Sequence, residues 1–214
     1  MKLRQKKFHR MLIQVLEIPP GCPQFFGAGT LTGQLIDVVE TASRKIYCLA
    51  IEQTYAWDTV KTARRQRMRA RKILRAQIRN IRNVALALGF NDFEKPVDHS
   101  DRRLIQTGLI YAAQAEGLKS QFIDDAFMPL DFIERLETLA SDLEKSALDE
   151  VSGLSASVAA RAGIDHAQSE AAAALQRLDA IIGNTMIDEP AIVEQWRRSR
   201  RLEWNRPQKI AVAV

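Results

Sequence analysis

The chain has 214 residues, 46% hydrophobic and 7% aromatic, with 10 Gly, 7 Pro and a formal net charge of +5. Ala, Leu, Arg, Ile and Glu are plentiful, and unbranched side chains lose little freedom in a helix, so the composition favours helices over sheet. No stretch approaches the roughly 18 consecutive apolar residues that a membrane span needs.

The first residues, MKLRQKKFHRMLIQVLEIPPG, begin like the basic region of a signal peptide. The apolar run Met11–Leu16 is too short for one, contains Gln14, and is followed by Pro-Pro-Gly rather than a small-residue cleavage site. The expectation is a basic tail on a cytoplasmic protein. Residues 1–28 together read as a basic, Pro/Gly-containing extension with Pro19, Pro20, Gly21 and Pro23, tied to the body by Phe25 and Phe26. Gly27, Gly29 and Gly33 miss the spacing of a dinucleotide-binding loop and follow no strand; Thr30 or Thr32 suits a helix cap instead. Cys22 and Cys48 show no metal-ligand spacing and read as free thiols.

From about Leu31 apolar residues recur by threes and fours: Leu35, Val39, Ala42, Ile46, Leu49, Ala56, Val60, Ala63, Ala70, Leu74, Ile81 and Leu88. That is the spacing of a coiled-coil seam. Gln53, Arg67 and Gln77 interrupt it, and no Gly or Pro falls between Gly33 and Gly89. The reading is one long helix over about 31–88, roughly 85 Å at 1.5 Å per residue, with a break at Asp58–Thr62 as the alternative. Gly89 suits its C-terminal cap.

A shorter helix is expected from Asp98 or Ser100 to about Glu116, with Leu104, Ile105, Leu109, Ile110 and Ala113 as its apolar positions. Another follows over Leu118–Phe127. A second long helix spans about 130–182 on the positions Ile133, Leu136, Ala140, Leu143, Ala147, Val151, Leu154, Val158, Ala162, Leu175, Leu178 and Ile182. Gly153 and Gly163 are expected to weaken it by about 1 kcal/mol each, and Gly183-Asn184 to cap it. A last helix begins near Pro190 and runs to about Trp204. The fold expected is all-α: an elongated helical bundle built on two long helices with shorter ones alongside. Residues 29–204 form a single helical-bundle domain, and 205–214 a C-terminal tail.

Three segments, RNIRNVALAL (79–88), FIERLETLASDLE (132–144) and LQRLDAIIGNTMIDEPAIVEQWRRSRR (175–201), resemble a family of uncharacterised all-helical bacterial proteins. The resemblance implies a helical fold from about residue 30 to 201 and brings no activity with it.

The charge is unevenly spread. Residues 59–91 hold ten bases and no acid, whereas 92–195 hold twenty acids and eight bases. Arg67 falls on the seam and needs an acidic partner, because an unpaired buried charge is costly; Glu144, Glu150 and Asp165 are the candidates if the two long helices run antiparallel. Arg64, Arg65, Arg69 and Lys72, with Arg197, Arg198 and Arg201 near the C-terminus, are the candidate contacts for a partner or for nucleic acid. Trp196, four residues after Ile192, is expected to dock on the bundle while its arginines reach solvent. Tyr47, Tyr55 and Trp57 read as core or interface residues.

Asp98, His99 and Asp101 could hold a surface metal, but helix capping explains them better. No Glu-x-x-His pair, HExxH, GxSxG, phosphate loop or Cys–His signature appears. No catalytic, cofactor-binding or metal-ligating residue is assigned. The expectation is a non-enzymatic protein working through protein–protein contacts or self-association, with no cofactor. Electrostatic nucleic-acid binding by residues 61–82 and the basic tails is the alternative.

Overall fold

The computed structural model describes residues 1–18, 25–27, 29–93 and 100–201. Pro19 to Pro23 with Cys22, the pair Asp98 and His99, Trp204 and the tail 205–214 lie outside the described residues. The described structure is all-α, with helices α1 (Leu3–Leu16), α2 (Leu31–Ala87), α3 (Asp101–Glu116), α4 (Lys119–Asp124), α5 (Phe132–Thr185) and α6 (Pro190–Ser199). The long helices α2 and α5 pack together and the shorter ones lie alongside. α2 is continuous, with no break at Asp58–Thr62.

The chain forms two compact units. Unit 1 takes Met1–Thr54 and the chain from Ala156 onward; unit 2 is Tyr55–Ser155. α2 and α5 contribute to both.

In unit 1 the core joins Leu35, Val39, Ala42 and Ile46 of α2 to Ile164, Ala167, Ala171, Leu175, Leu178 and Ile182 of α5. Met11, Leu12 and Val15 of α1 and Trp196 of α6 complete it. This corrects the reading of the first residues as a tail. LRQKKFHRMLIQVL places Met11, Leu12 and Val15 on one helical face, and burying that face outweighs the cost of ordering so basic a segment. Polar contacts fix α1 as well: Gln5 Nε2 donates to Asp165 Oδ1 at 2.8 Å, and His9 Nε2 lies 3.1 Å from the Ser43 carbonyl oxygen.

In unit 2 the core joins Ala70, Leu74, Ile78, Ile81 and Ala85 of α2 to Leu104, Tyr111, Ala112 and Ala115 of α3 and to Phe132, Ile133, Leu136, Ala140 and Leu143 of α5. Phe93, Phe122 and Phe132 fill its end, Phe122 lying 6.0 and 5.5 Å from the other two ring centroids. Ser100 caps α3 by accepting from the Arg103 amide at 3.2 Å, and Gly89 closes α2 at φ +87°.

The α5 seam departs from expectation at its middle. Val151 and Val158 stand 62% and 68% exposed, while Ser146, Glu150 and Ser157 are buried and Gly153 faces α2. Small residues replace the expected branched ones because the backbones come close. A Cβ at Gly153 would lie 2.8 Å from Val60 Cγ2 and 3.1 Å from the Ala56 carbonyl oxygen. So Gly153 marks an approach between helices rather than a weak point. On α3 the buried face is Leu104, Gly108, Tyr111, Ala112 and Ala115, while the expected core positions Leu109 and Ile110 are 47% and 56% exposed. α5 also continues past Gly183-Asn184 to Thr185, so that pair does not cap it.

Candidate functional site

The site is built on the basic stretch of α2 in unit 2. An α-helix turns 100° per residue, so Arg64, Arg67 and Arg71 share one flank while Arg65, Arg69, Lys72 and Arg79 fall within an arc of roughly 80° opposite the buried face. The ten bases therefore separate into sets with different surroundings.

The flank set is paired within the unit, three guanidinium groups sharing two carboxylates. Arg64 Nε donates to Glu150 Oε1 at 2.7 Å, and Arg67 Nη1 to Glu150 Oε2 at 2.9 Å. Arg67 Nε donates to Asp101 Oδ2 at 2.5 Å, and Arg71 Nη1 sits 3.3 Å from Asp101 Oδ1. The two carboxylate side chains are 11% and 9% exposed, the arginines 34–54%. The acids thus sit under a lid of guanidinium groups that keep one side in water. Hydrogen bonds from Arg64 and then Arg67 hold the Glu150 carboxyl below its usual range, against the opposing effect of burial. Bonds to Asp101 and Glu150 raise the Arg67 pKa further, so its charge is fixed.

Glu150 is one of the partners the seam position of Arg67 calls for. Asp101 is not. It opens α3, where free backbone N–H groups favour a carboxylate, and it lies at 101, 104, 108 and 111 spacing with the buried face of that helix. That spacing is the signal in the sequence that marks it as inward. Glu144 is exposed, and Asp165 bonds Gln5 in unit 1 instead. Asp101 pairs with Arg67 and Arg71, and the other two residues of its trio, Asp98 and His99, lie outside the described residues. Among the described residues no group of three His, Cys, Asp or Glu is placed to hold a metal.

The outward set is different. Arg65, Arg69, Lys72 and Arg79 are exposed and make no ion pair among the described residues. Met68, 73% exposed, lies between them. Beside Arg69 a shallow cleft of about 380 Å³ is lined by Gln66, Ile73, Asp142, Lys145 and Asp149. Arg69 therefore sits at the rim of a cleft that it shares with acids of α5.

The C-terminal candidates lie in unit 1. Trp196 is 3% exposed, and its Nε1 donates to Asp179 Oδ1 at 2.7 Å. Arg200 grips the same carboxylate with Nε at 3.0 Å and Nη2 at 2.7 Å. Burial pushes the Asp179 carboxyl up, and the bonds from Arg200 and Trp196 more than offset it, leaving its pKa lowered. Arg197, Arg198 and Arg201 are exposed, and Arg198 pairs with Glu194 at 3.0 Å. Arg200 was not among the expected contacts, and it locks α6 onto α5. Tyr47, Tyr55 and Trp57 are 60%, 71% and 43% exposed and belong to no core.

Comparison with known protein families, curated proteins and solved structures finds no match, so the site stands on its geometry alone. No helix among the described residues is long and apolar enough to cross a membrane.

Proposed function

We propose that this is a non-enzymatic helical-bundle protein of the cytoplasm that acts through protein–protein contacts, self-association among them. The observation that carries the reading is on α5 of unit 2. Leu148 and Val151 stand 64% and 62% exposed about one helical turn apart, beside the exposed Glu144. Exposing two adjacent branched side chains leaves on the order of 1.5–3 kcal/mol each of burial unused, which a partner surface would recover. Sedimentation velocity over a range of concentrations tests it. A sedimentation coefficient that rises with concentration supports the proposal; a monomer at every concentration, with no partner retained by the folded chain, contradicts it.

A second reading has one observation in its favour. Arg65, Arg69, Lys72 and Arg79 form an unpaired basic row, which would track a phosphate backbone, with Arg197, Arg198 and Arg201 as further contacts. The acids Asp142 and Asp149 beside Arg69 oppose it, since they would repel phosphate at the edge of the row. Affinity for duplex DNA that falls steeply with salt and is lost in Arg65→Ala/Arg69→Ala would favour this reading over the first.

A further inference from the structure

The self-association proposed above can be given its surfaces. α2 carries Arg65, Lys72 and Arg79 outward at seven-residue intervals, with Met68 between the first two. α5 carries Glu137, Glu144 and Val151 outward at the same interval, with Leu148 between the last two. None of these charged groups makes an ion pair among the described residues. Seven residues are about 10.5 Å of helix in both rows, so their charges repeat at matching distances.

The two rows point in opposite directions. Val60 of α2 and Gly153 of α5 face each other inside the unit. Arg65 is nine residues from Ala56, whose carbonyl oxygen also faces Gly153, and Glu144 is nine residues from Gly153; nine residues at 100° each is half a turn beyond two full ones. The basic row is therefore on the side of α2 turned away from α5, and the acidic row on the side of α5 turned away from α2. A single copy cannot bring them together.

We infer that the outward row of α2 docks on the outward row of α5 of a second copy, head to tail, with the two helices antiparallel. Aligned that way, Lys72 meets Glu144, Arg79 meets Glu137, and Met68 meets Leu148, so one register gives two charge pairs and one apolar pair, with Arg65 at the end of the row laying its aliphatic stem over Val151. Within the unit α2 and α5 lie level at Val60 with Gly153 and at Arg64 with Glu150, so a second copy in the same orientation reaches the docking register by a slide of two to three residues, roughly 3–4.5 Å along the helix. Because the contacting patches differ, the arrangement is heterologous and leaves a free row at each end, so association continues past two copies or closes into a ring. The occupant is a second copy rather than nucleic acid because the α5 row offers carboxylates at the ten-ångström interval of Lys72 and Arg79, with Leu148 one turn beyond Glu144 where Met68 falls, whereas a phosphate backbone offers Met68 nothing apolar.

The test is a charge exchange on the full chain, followed by sedimentation velocity. Lys72→Glu/Arg79→Glu makes both rows acidic, and Glu137→Arg/Glu144→Lys makes both basic. Each variant alone is expected to associate at least about 100-fold more weakly than the wild type, and an equimolar mixture to recover to within about tenfold. Helical circular dichroism equal to the wild type's confirms that each variant folds, and Lys72→Gln/Arg79→Gln gives a milder version with an intermediate loss. If the reversed variants associate as the wild type does, the rows are overturned while self-association through another surface survives. If both weaken and the mixture does not recover, the pairing of these two rows is wrong. If the wild type is monomeric throughout, this inference and the self-association it rests on both fall. Tight salt-sensitive binding of duplex DNA by that monomer, lost in Lys72→Glu/Arg79→Glu, would assign the basic row to phosphate.

Discussion

Gly153→Ala tests the closeness of α2 and α5 directly. The added Cβ would lie 2.8 Å from Val60 Cγ2, 3.1 Å from the Ala56 carbonyl oxygen and 3.3 Å from the Val60 amide nitrogen. Val60 is fully buried and β-branched, so in a helix it has little rotamer freedom with which to retreat. The other two atoms are backbone and move only with the whole helix. Overpacking of this kind costs about 1–3 kcal/mol, and the better helix propensity of Ala returns about 1 kcal/mol, leaving a net loss of about 1 kcal/mol. Gly183→Ala is the control. Gly183 lies in the last turn of α5 with no atom within 4 Å of its added Cβ, so the same substitution there should stabilise by part of the interior propensity difference, about 0.5 kcal/mol. The two variants should shift the urea midpoint in opposite directions, followed by circular dichroism at constant denaturant slope. Equal upward shifts would mean that α2 and α5 are not in close contact at Gly153, and the buried small-residue face of α5 would lose its explanation.

Other outcomes follow from the same geometry. Glu150 has its pKa lowered in the fold, so its pairing stabilises unit 2 above its usual value of 4.5 and is lost as pH falls through the depressed value. Glu150→Gln should therefore be less stable than the wild type at neutral pH and converge with it in strong acid; an unchanging difference across that range would contradict the pairing. Trp196→Phe should cost about 1 kcal/mol, less than a fully buried bond to a charge, because the Asp179 side chain is 43% exposed; thermal unfolding unchanged by the substitution would dissociate Trp196 from the anchoring of α6. Phe127 is 89% exposed at φ +54°, so Phe127→Asn, which tolerates that backbone, should raise stability by several tenths of a kcal/mol. A loss in that variant would mean that the phenyl ring has a partner within the unit.

The sequence made the helices legible because their apolar spacing is regular and their ends carry ordinary stops, such as Ser100 before α3 and Gly89 after α2. The middle of α5 was not legible in the same way. Counting apolar residues selects Val151 and Val158, whereas the packing there selects small side chains at 146, 153 and 157 and a paired acid at 150. Helical periodicity fits both choices, and only the distance between backbones decides. α1 escaped notice because Lys2, Arg4, Lys6, Lys7 and Arg10 obscure a short face of Met11, Leu12 and Val15. Arg67 announced a buried partner through its seam position, and Glu150 was within reach of that reasoning. Asp101 needed the docking of a different helix, which no spacing along α2 or α5 encodes.

The basic stretch of α2 is divided in two, with Arg64, Arg67 and Arg71 paired inside the unit and Arg65, Arg69, Lys72 and Arg79 exposed without an ion pair among the described residues. Urea unfolding of Arg67→Met beside Arg69→Met, with both proteins kept dilute, tests this division most directly. Arg67→Met should lose about 1–2 kcal/mol, below the 3–5 kcal/mol of a fully buried pair because the Arg67 side chain is 40% exposed. Arg69→Met should stay within about 0.5 kcal/mol of the wild type. Equal losses in the two variants would contradict the division.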